Sequence, residues 1–327
     1  MNELLPLDAA AQLIRDGRAL AIAGTESTLA RLPAGRWIGG TIPYFMLPEG
    51  GRVVSDADAQ VFVTDLTPLG NVSFAHFGAD QLAGIAAGAP DNGFALTIIP
   101  AGSAAHLEFA ANAASYPGAF THPTVGWIAG VHLSDLGRTS PKVFDGTRAQ
   151  ALTDAAVVAY VELPAEHWVD VGIVNLFEPD DGDLLRFDGT AFNVGECSVN
   201  GERTNLAAYL RLRGVDHGRL PLVGDFAGAH VNVSVQTVNA DTVDLYAPVF
   251  SGVDYRLARP VADYAAAFRA RLSDTDAGDA VMGCNCILNF MFGNLEGRAI
   301  GSVAGPVTFG EIAYQLLNQT MVVIRVH

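Results

Sequence analysis

Few side chains in this sequence are of types that do chemistry, and most of those stand beside glycines. Cys284 ends the run Ala280-Val281-Met282-Gly283 and forms a Cys-x-Cys pair with Cys286. A thiol at a strand end becomes a nucleophile or redox group when nearby positive dipoles lower its pKa. It also needs a base, and among eight histidines His132 and His230 are the candidates. Glu311 follows Gly310 in an otherwise apolar stretch. That context predicts a half-buried carboxyl that could pair with Arg298, bind an amino group or exchange protons. The competing readings are a buried inert thiol and a structural ion pair, because free cysteine behaves mostly as a small hydrophobe.

Arg36 and Arg298 sit in two similar hexapeptides, Gly35-Arg36-Trp37-Ile38-Gly39-Gly40 and Gly297-Arg298-Ala299-Ile300-Gly301-Ser302. A short apolar strand precedes each copy (Leu20–Gly24, Ala280–Gly283), and a closing strand follows it (61–63, 321–323). Two guanidinium groups converging from two such units would clamp a carboxylate; otherwise each arginine ties down its own loop. His132 and Asp135 lie in the glycine-rich segment Gly126–Gly137, the best candidate for a ligand-facing loop. His76, between Phe74 and Phe77, has the more haem-like surroundings, with His132 as second candidate for an axial ligand. Asn318 and Gln319, before the last strand, either orient a ligand or satisfy a turn. The acidic clusters Asp180–Asp183 and Asp274–Asp279 lack calcium-loop spacing and read as solvated turns.

Composition excludes several classes. Lys142 is the only lysine among 19 basic residues, so no Walker A loop exists and a Schiff-base mechanism would rest on that one residue. No Cys-x-x-Cys-His occurs, which excludes covalent c-type haem. Three cysteines build neither a disulfide framework nor a zinc tetrahedron, and they suit a reducing compartment. Thirty-five acids against 19 bases give a net charge of −16, which repels nucleic acid and anionic lipid. No apolar run reaches the ~20 residues of a membrane span, and the N-terminus does not read as a signal peptide. A cytoplasmic protein is expected.

The elements that must position these residues are mostly strands. Candidates are 20–23, 59–64, 95–99, 124–128, 155–163, 171–177, 230–238, 242–245 and 321–326, rich in Val, Ile, Phe and Thr and bounded by turn residues. Helices are expected at 7–15, 106–114, 203–212 and 260–272; Leu4, Leu5, Ala9, Leu13 and Ile14 form the expected apolar positions of the first. The mixture is α/β (mixed α+β). The paired hexapeptides suggest two related lobes with mixed sheets, 1–190 and 191–327, whose glycine-rich loops face a central cleft.

The ending Gly305-Pro306-Val307-Thr308-Phe309-Gly310-Glu311-Ile312, followed by Leu317-Asn318-Gln319-Thr320 and a terminal strand, resembles the close of the FIST domain. Other segments fit in the same order: Ala280–Cys284, Thr124–Asp135 with Lys142-Val143-Phe144, and Val199-Asn200-Gly201. The sequence departs from that pattern after Cys284, where the family usually carries Gly-Arg and this chain has Asn285-Cys286. The resemblance implies FIST-N-like and FIST-C-like lobes and a bacterial sensory protein that binds a small ligand and signals through a partner protein. Amino acids are proposed ligands of that family, and some members bind haem and respond to nitric oxide. The ligand would then meet Arg36, Gly39, Gly126, His132, Asp135, Arg298, Gly301, Glu311 and Asn318. The alternative is an enzyme acting on a small carboxylated substrate through Cys284, Glu311 and the paired arginines.

Overall fold

Helix α1 (Leu7–Arg15) forms because Leu7, Ala10, Ala11 and Ile14 recur at three- and four-residue spacing and bury one face. Ala9 is exposed, and Leu4 and Leu5 belong to a preceding strand, β1 (Asn2–Pro6), which corrects the expected apolar stripe. The structure, a computed structural model, describes residues 2–273 and 280–327; the acidic cluster at 274–279 lies outside them.

After α1 come β2 (Leu20–Gly24), α2 (Glu26–Leu29), β3 (Trp37–Thr41), the hairpin β4 (Tyr44–Leu47) and β5 (Gly50–Val53), and β6 (Gln60–Asp65). The same succession then returns. It runs β7 (Asn71–Gly78), α3 (Gly84–Ala87), β8 (Gly93–Pro100), α4 (Ala104–Asn112), β9 (Thr124–Ala129), the hairpin β10 (Val143–Asp145) and β11 (Gln150–Leu152), and β12 (Ala155–Glu162). A third copy opens with β13 (Val169–Asn175) and is interrupted by an insert. The insert holds β14 (Leu185–Arg186), β15 (Ala191–Val194), β16 (Glu196–Val199), β17 (Glu202–Asn205), α5 (Leu206–Leu212), β18 (Leu222–Phe226), β19 (Ala229–Val233), β20 (Val235–Val238), β21 (Val243–Val249) and β22 (Asp254–Leu257). The copy resumes with α6 (Tyr264–Ser273), β23 (Ala280–Cys286), α7 (Ile287–Phe292), β24 (Gly305–Thr308), the hairpin β25 (Glu311–Ala313) and β26 (Gln315–Leu317), and β27 (Thr320–Val326).

The three sheets share one strand order: β1-β6-β2-β3, β7-β12-β8-β9 and β13-β27-β23-β24. The second and third strands of each repeat are parallel and so need a crossover, which α2, α4 and α7 supply. Each sheet is completed by the hairpin of a different repeat. Hairpin β10-β11 pairs with β3, β25-β26 with β9, and β4-β5 with β24. The exchange closes a ring of three.

Ile38, Phe45, Phe62, Ile98, Trp127, Val157, Cys284, Val307 and Val322 share one buried cluster drawn from all three repeats. Helices α1 and α2 cover the first sheet with a separate apolar layer, and α3 and α4 cover the second. The insert has its own core around Leu206, Leu222, Val243 and Tyr255. Buried amides fasten it to the third repeat: the Ser234 N–H donates to Asn318 Oδ1 at 2.8 Å, and Asn318 Nδ2 donates to the Asn232 carbonyl at 3.1 Å.

The architecture is mixed α+β as expected, but it has three repeats plus an insert where two lobes were expected. The sheets do not divide at 190/191, a point inside the insert between β14 and β15, because β24, β25 and β27 pair with strands from the first half. Among the described residues no helix is long and apolar enough to cross a membrane.

Candidate functional site

The parallel pairs β2/β3, β8/β9 and β23/β24 end beside the N-termini of α2, α4 and α7, where α/β folds commonly hold ligands. Two large cavities open there. The first, about 900 Å³, lies between repeats one and two, against the start of α2, the turn Thr41–Pro43, residues 53–58 and the His132 loop. The second, about 740 Å³, lies between repeats two and three, with the insert as its far wall. Thr139 and Ser140 border both.

The charged side chains of the first cavity are mostly acidic. Glu26, Asp56, Asp58 and Asp135 line it, and the Lys142 ammonium pairs with Glu26. Hydrogen bonds from Ser27 and Thr25 hold the Asp56 carboxyl below its usual range. His132 is exposed on the rim; its ring stacks on Tyr44 at 5.5 Å, and its Nδ1 accepts the Ser134 N–H at 3.2 Å. Tyr44 also meets Phe290 at 5.7 Å, so side chains of all three repeats converge at this end of the ring.

The second cavity is largely apolar, with Leu107, Leu133, Leu136, Ile287, Leu288 and Phe309 among its walls. Into it come His106 from α4, Tyr246 from β21, Cys286 from the end of β23, and Asn318. His106 is 8% exposed, and burial pushes its pKa down to about 4, which leaves the ring neutral. Its Nδ1 accepts the Gly102 N–H at 3.2 Å.

Behind Cys286 is a sealed polar cluster. Glu311 is fully buried; its carboxylate accepts from the hydroxyls of Thr320 at 2.8 Å and Thr308 at 3.2 Å, and it meets the Cys286 thiol. Burial outweighs these hydrogen bonds and pushes its pKa up to about 8. Cys284 is 1% exposed and donates to the Gly126 carbonyl at 3.2 Å. Burial and the neighbouring Glu311 push both thiols well above their ordinary range. A thiol held protonated in an interior is inert, so of the two readings of Cys284 the structure has the buried, inert core residue.

Of the two readings of the arginines, the structure has no converging clamp and engages each of them separately. Arg36 is exposed and donates to the Val72 carbonyl at 2.8 Å; Arg298 donates to the Gly293 carbonyl at 3.1 Å beside Asp263 at 3.7 Å. Neither lines either cavity, and Glu311 is paired with threonines and not with Arg298. Gly39 is buried within β3, where a Cβ would stand 2.7 Å from the Ile22 carbonyl oxygen. Gly126, at φ +144°, lies against Thr97 so closely that its Cβ would fall 1.9 Å from that carbonyl oxygen. Gly301 is exposed beside Leu272. These three glycines serve backbone packing and turns. Asn318 does line the second cavity, but its amide is spent on the insert. His132 and Asp135 border the first cavity. His230 pairs with Glu178 at 3.3 Å and is no base for Cys284.

His76 and His132, the candidate axial ligands, and the cavity residue His106 do not fit haem. His76 Nδ1 bonds Asp145 at 3.1 Å, the Arg148 guanidinium lies 3.4 Å from Nε2, and neither large cavity includes the ring. In His132 and His106, Nδ1 accepts a backbone N–H, so the ring hydrogen sits on Nε2, which then has no lone pair for iron. Among the described residues no cluster of three or more His, Cys, Asp or Glu could hold a metal ion.

His106 and Tyr246 escaped the sequence reading. The Gly102-Ser103 helix start was the available signal, since Ser103 caps α4 by accepting the His106 N–H. A family model matches residues 5–327, all three repeats and the insert together. The chain belongs to this family, a family of unknown function (DUF6976). No curated protein and no solved structure matches the chain. The span of the family match makes the insert, and with it the wall of the second cavity, part of the family unit.

Proposed function

We infer that the chain is a ligand-binding sensory protein of the FIST-like kind, working in a reducing compartment such as the cytoplasm and signalling through a partner protein. The observation that carries this reading is the cavity of about 740 Å³ between repeats two and three, bordered by an element of separate core. Its size suits a small organic ligand. The residues of the FIST-like ending gather at its base: Asn318 lines it, and Glu311 holds Cys286, which lines it. A ligand touching both the ring and the insert would shift the insert's position, and a partner would read that change. The enzymatic alternative loses its support with Cys284 sealed in the core and the arginines apart.

Thermal unfolding of the full chain against a small-molecule library tests the reading, with Leu107→Trp as the control that fills the mouth. A ligand present at a hundred times its Kd should add about 2.7 kcal/mol of stability to the wild type and nothing to the variant. Equal stabilisation of both proteins, or of neither, would remove the cavity from consideration as the sensory site.

A further inference from the structure

The polar groups of the second cavity differ in whether they are already engaged. Asn318 uses both ends of its amide on the insert. Asp244 accepts from Asn193 at 2.6 Å and Asn239 at 2.8 Å. Arg138 bonds the Ser134 carbonyl and Asp135. The Cys286 thiol is turned to Glu311. Two groups remain. His106 Nε2 is a buried nitrogen with no partner among the described residues, and because Nδ1 accepts the Gly102 N–H, Nε2 bears the hydrogen. The Tyr246 hydroxyl, on the half-buried opposite wall, has no hydrogen bond to any described residue.

A buried N–H without an acceptor is costly, and here it belongs to a residue that lines a cavity whose walls are mostly aliphatic and aromatic. Leu107, Leu136 and Met291 carry that apolar surface out to solvent at the mouth. The cation among the described lining residues is Arg138, exposed and paired with Asp135, and the chain's charge of −16 opposes an anion. Both free groups can donate, and neither is charged.

We propose that the second cavity binds a neutral, mainly apolar molecule through a carbonyl-type acceptor, which receives the His106 Nε2–H and the Tyr246 hydroxyl. This rests on the reading of the cavity as the sensory site, and it replaces an amino acid or carboxylate with an uncharged ligand. The apolar body of the ligand would lie against Leu133, Ile287, Leu288 and Phe309.

Four probes with one ring system separate the outcomes: naphthalene, 2-acetylnaphthalene, 2-naphthoate and 2-(aminomethyl)naphthalene, each titrated into the full chain by calorimetry. 2-Acetylnaphthalene is expected to bind one per chain, at least tenfold tighter than the other three. Tyr246→Phe, which keeps the ring, should weaken it about five- to tenfold and leave naphthalene unchanged. Leu107→Trp should abolish both. Equal or tighter binding of 2-naphthoate or of the amine would overturn the ligand class and leave the cavity as a site. Binding that survives Leu107→Trp, or no binding by any probe, would overturn the proposal and the sensory reading together.

Discussion

Glu311 shows how one carboxyl is set by its neighbours. Unfolded, it releases its proton near the ordinary 4.5; folded, near 8, because the interior disfavours its charge. Between those values the folded state holds more protons than the unfolded state, so stability falls as pH rises, by about 1.4 kcal/mol per pH unit. Below the ordinary value this group imposes no penalty. Glu311→Gln is expected to flatten that part of the pH–stability curve, measured by urea unfolding from pH 5 to 8; an unchanged slope would assign it to other groups. The apolar surroundings of Glu311 in the sequence pointed to a half-buried carboxyl, and the structure buries it completely. Its partners did not show, because Thr308 and Thr320 reach it through a hairpin that leaves its own repeat. The spacing of Arg36 and Arg298 likewise carried no information on which way either side chain turns.

Elements with a strong periodic pattern were readable in advance. Helix α1 occupies the expected residues, and β2, β6, β8, β9, β12 and β27 lie within a few residues of their sequence positions. Val, Ile and Phe runs bounded by glycine are sufficient for that. The exchanged hairpins were not readable, since three-residue strands such as β10 and β25 have no period to detect. The paired hexapeptides do fall between the second and third strands of repeats one and three. However, the first copy runs into β3 while the second ends in the loop before β24, so they are not superimposable strands. Repeat two escaped notice because it lacks the Gly-Arg signature. Its counterpart constraint is Gly126 on β9, where any side chain would strike Thr97. Gly126→Ala is expected to destabilise the protein by about 3 kcal/mol or more, read as a shift in the denaturation midpoint; a loss below 1 kcal/mol would mean that β8 and β9 can separate freely.

The whole chain divides energetically where its cores divide. The ring shares one central cluster and should unfold as a unit, whereas the insert has its own core and is fastened by the Asn318 and Gln319 amides. Asn318→Ala leaves the buried Ser234 N–H without its acceptor, at a cost of about 1–3 kcal/mol. Hydrogen exchange should then quicken around residues 230–238 while β27 stays protected; uniform loss of protection would show that insert and ring are one cooperative unit. The paired hexapeptides suggested two lobes but could not reveal an insert, since β13 and α6 are separated in the chain and adjacent only in the fold.

The exchange of hairpins also sets a timetable for synthesis. Strand β9 leaves the ribosome long before β25, the partner that covers its edge. At about 5–20 residues per second that edge waits on the order of 10 to 40 s. β23 and β24 of repeat three emerge only after repeats one and two and the insert. A nascent chain stopped short of residue 311 therefore carries two unfinished sheets with open edges, the kind of surface that recruits chaperones or stray strands. Quality control during translation, more than stability of the finished molecule, is where damage to the last hairpin would first be felt.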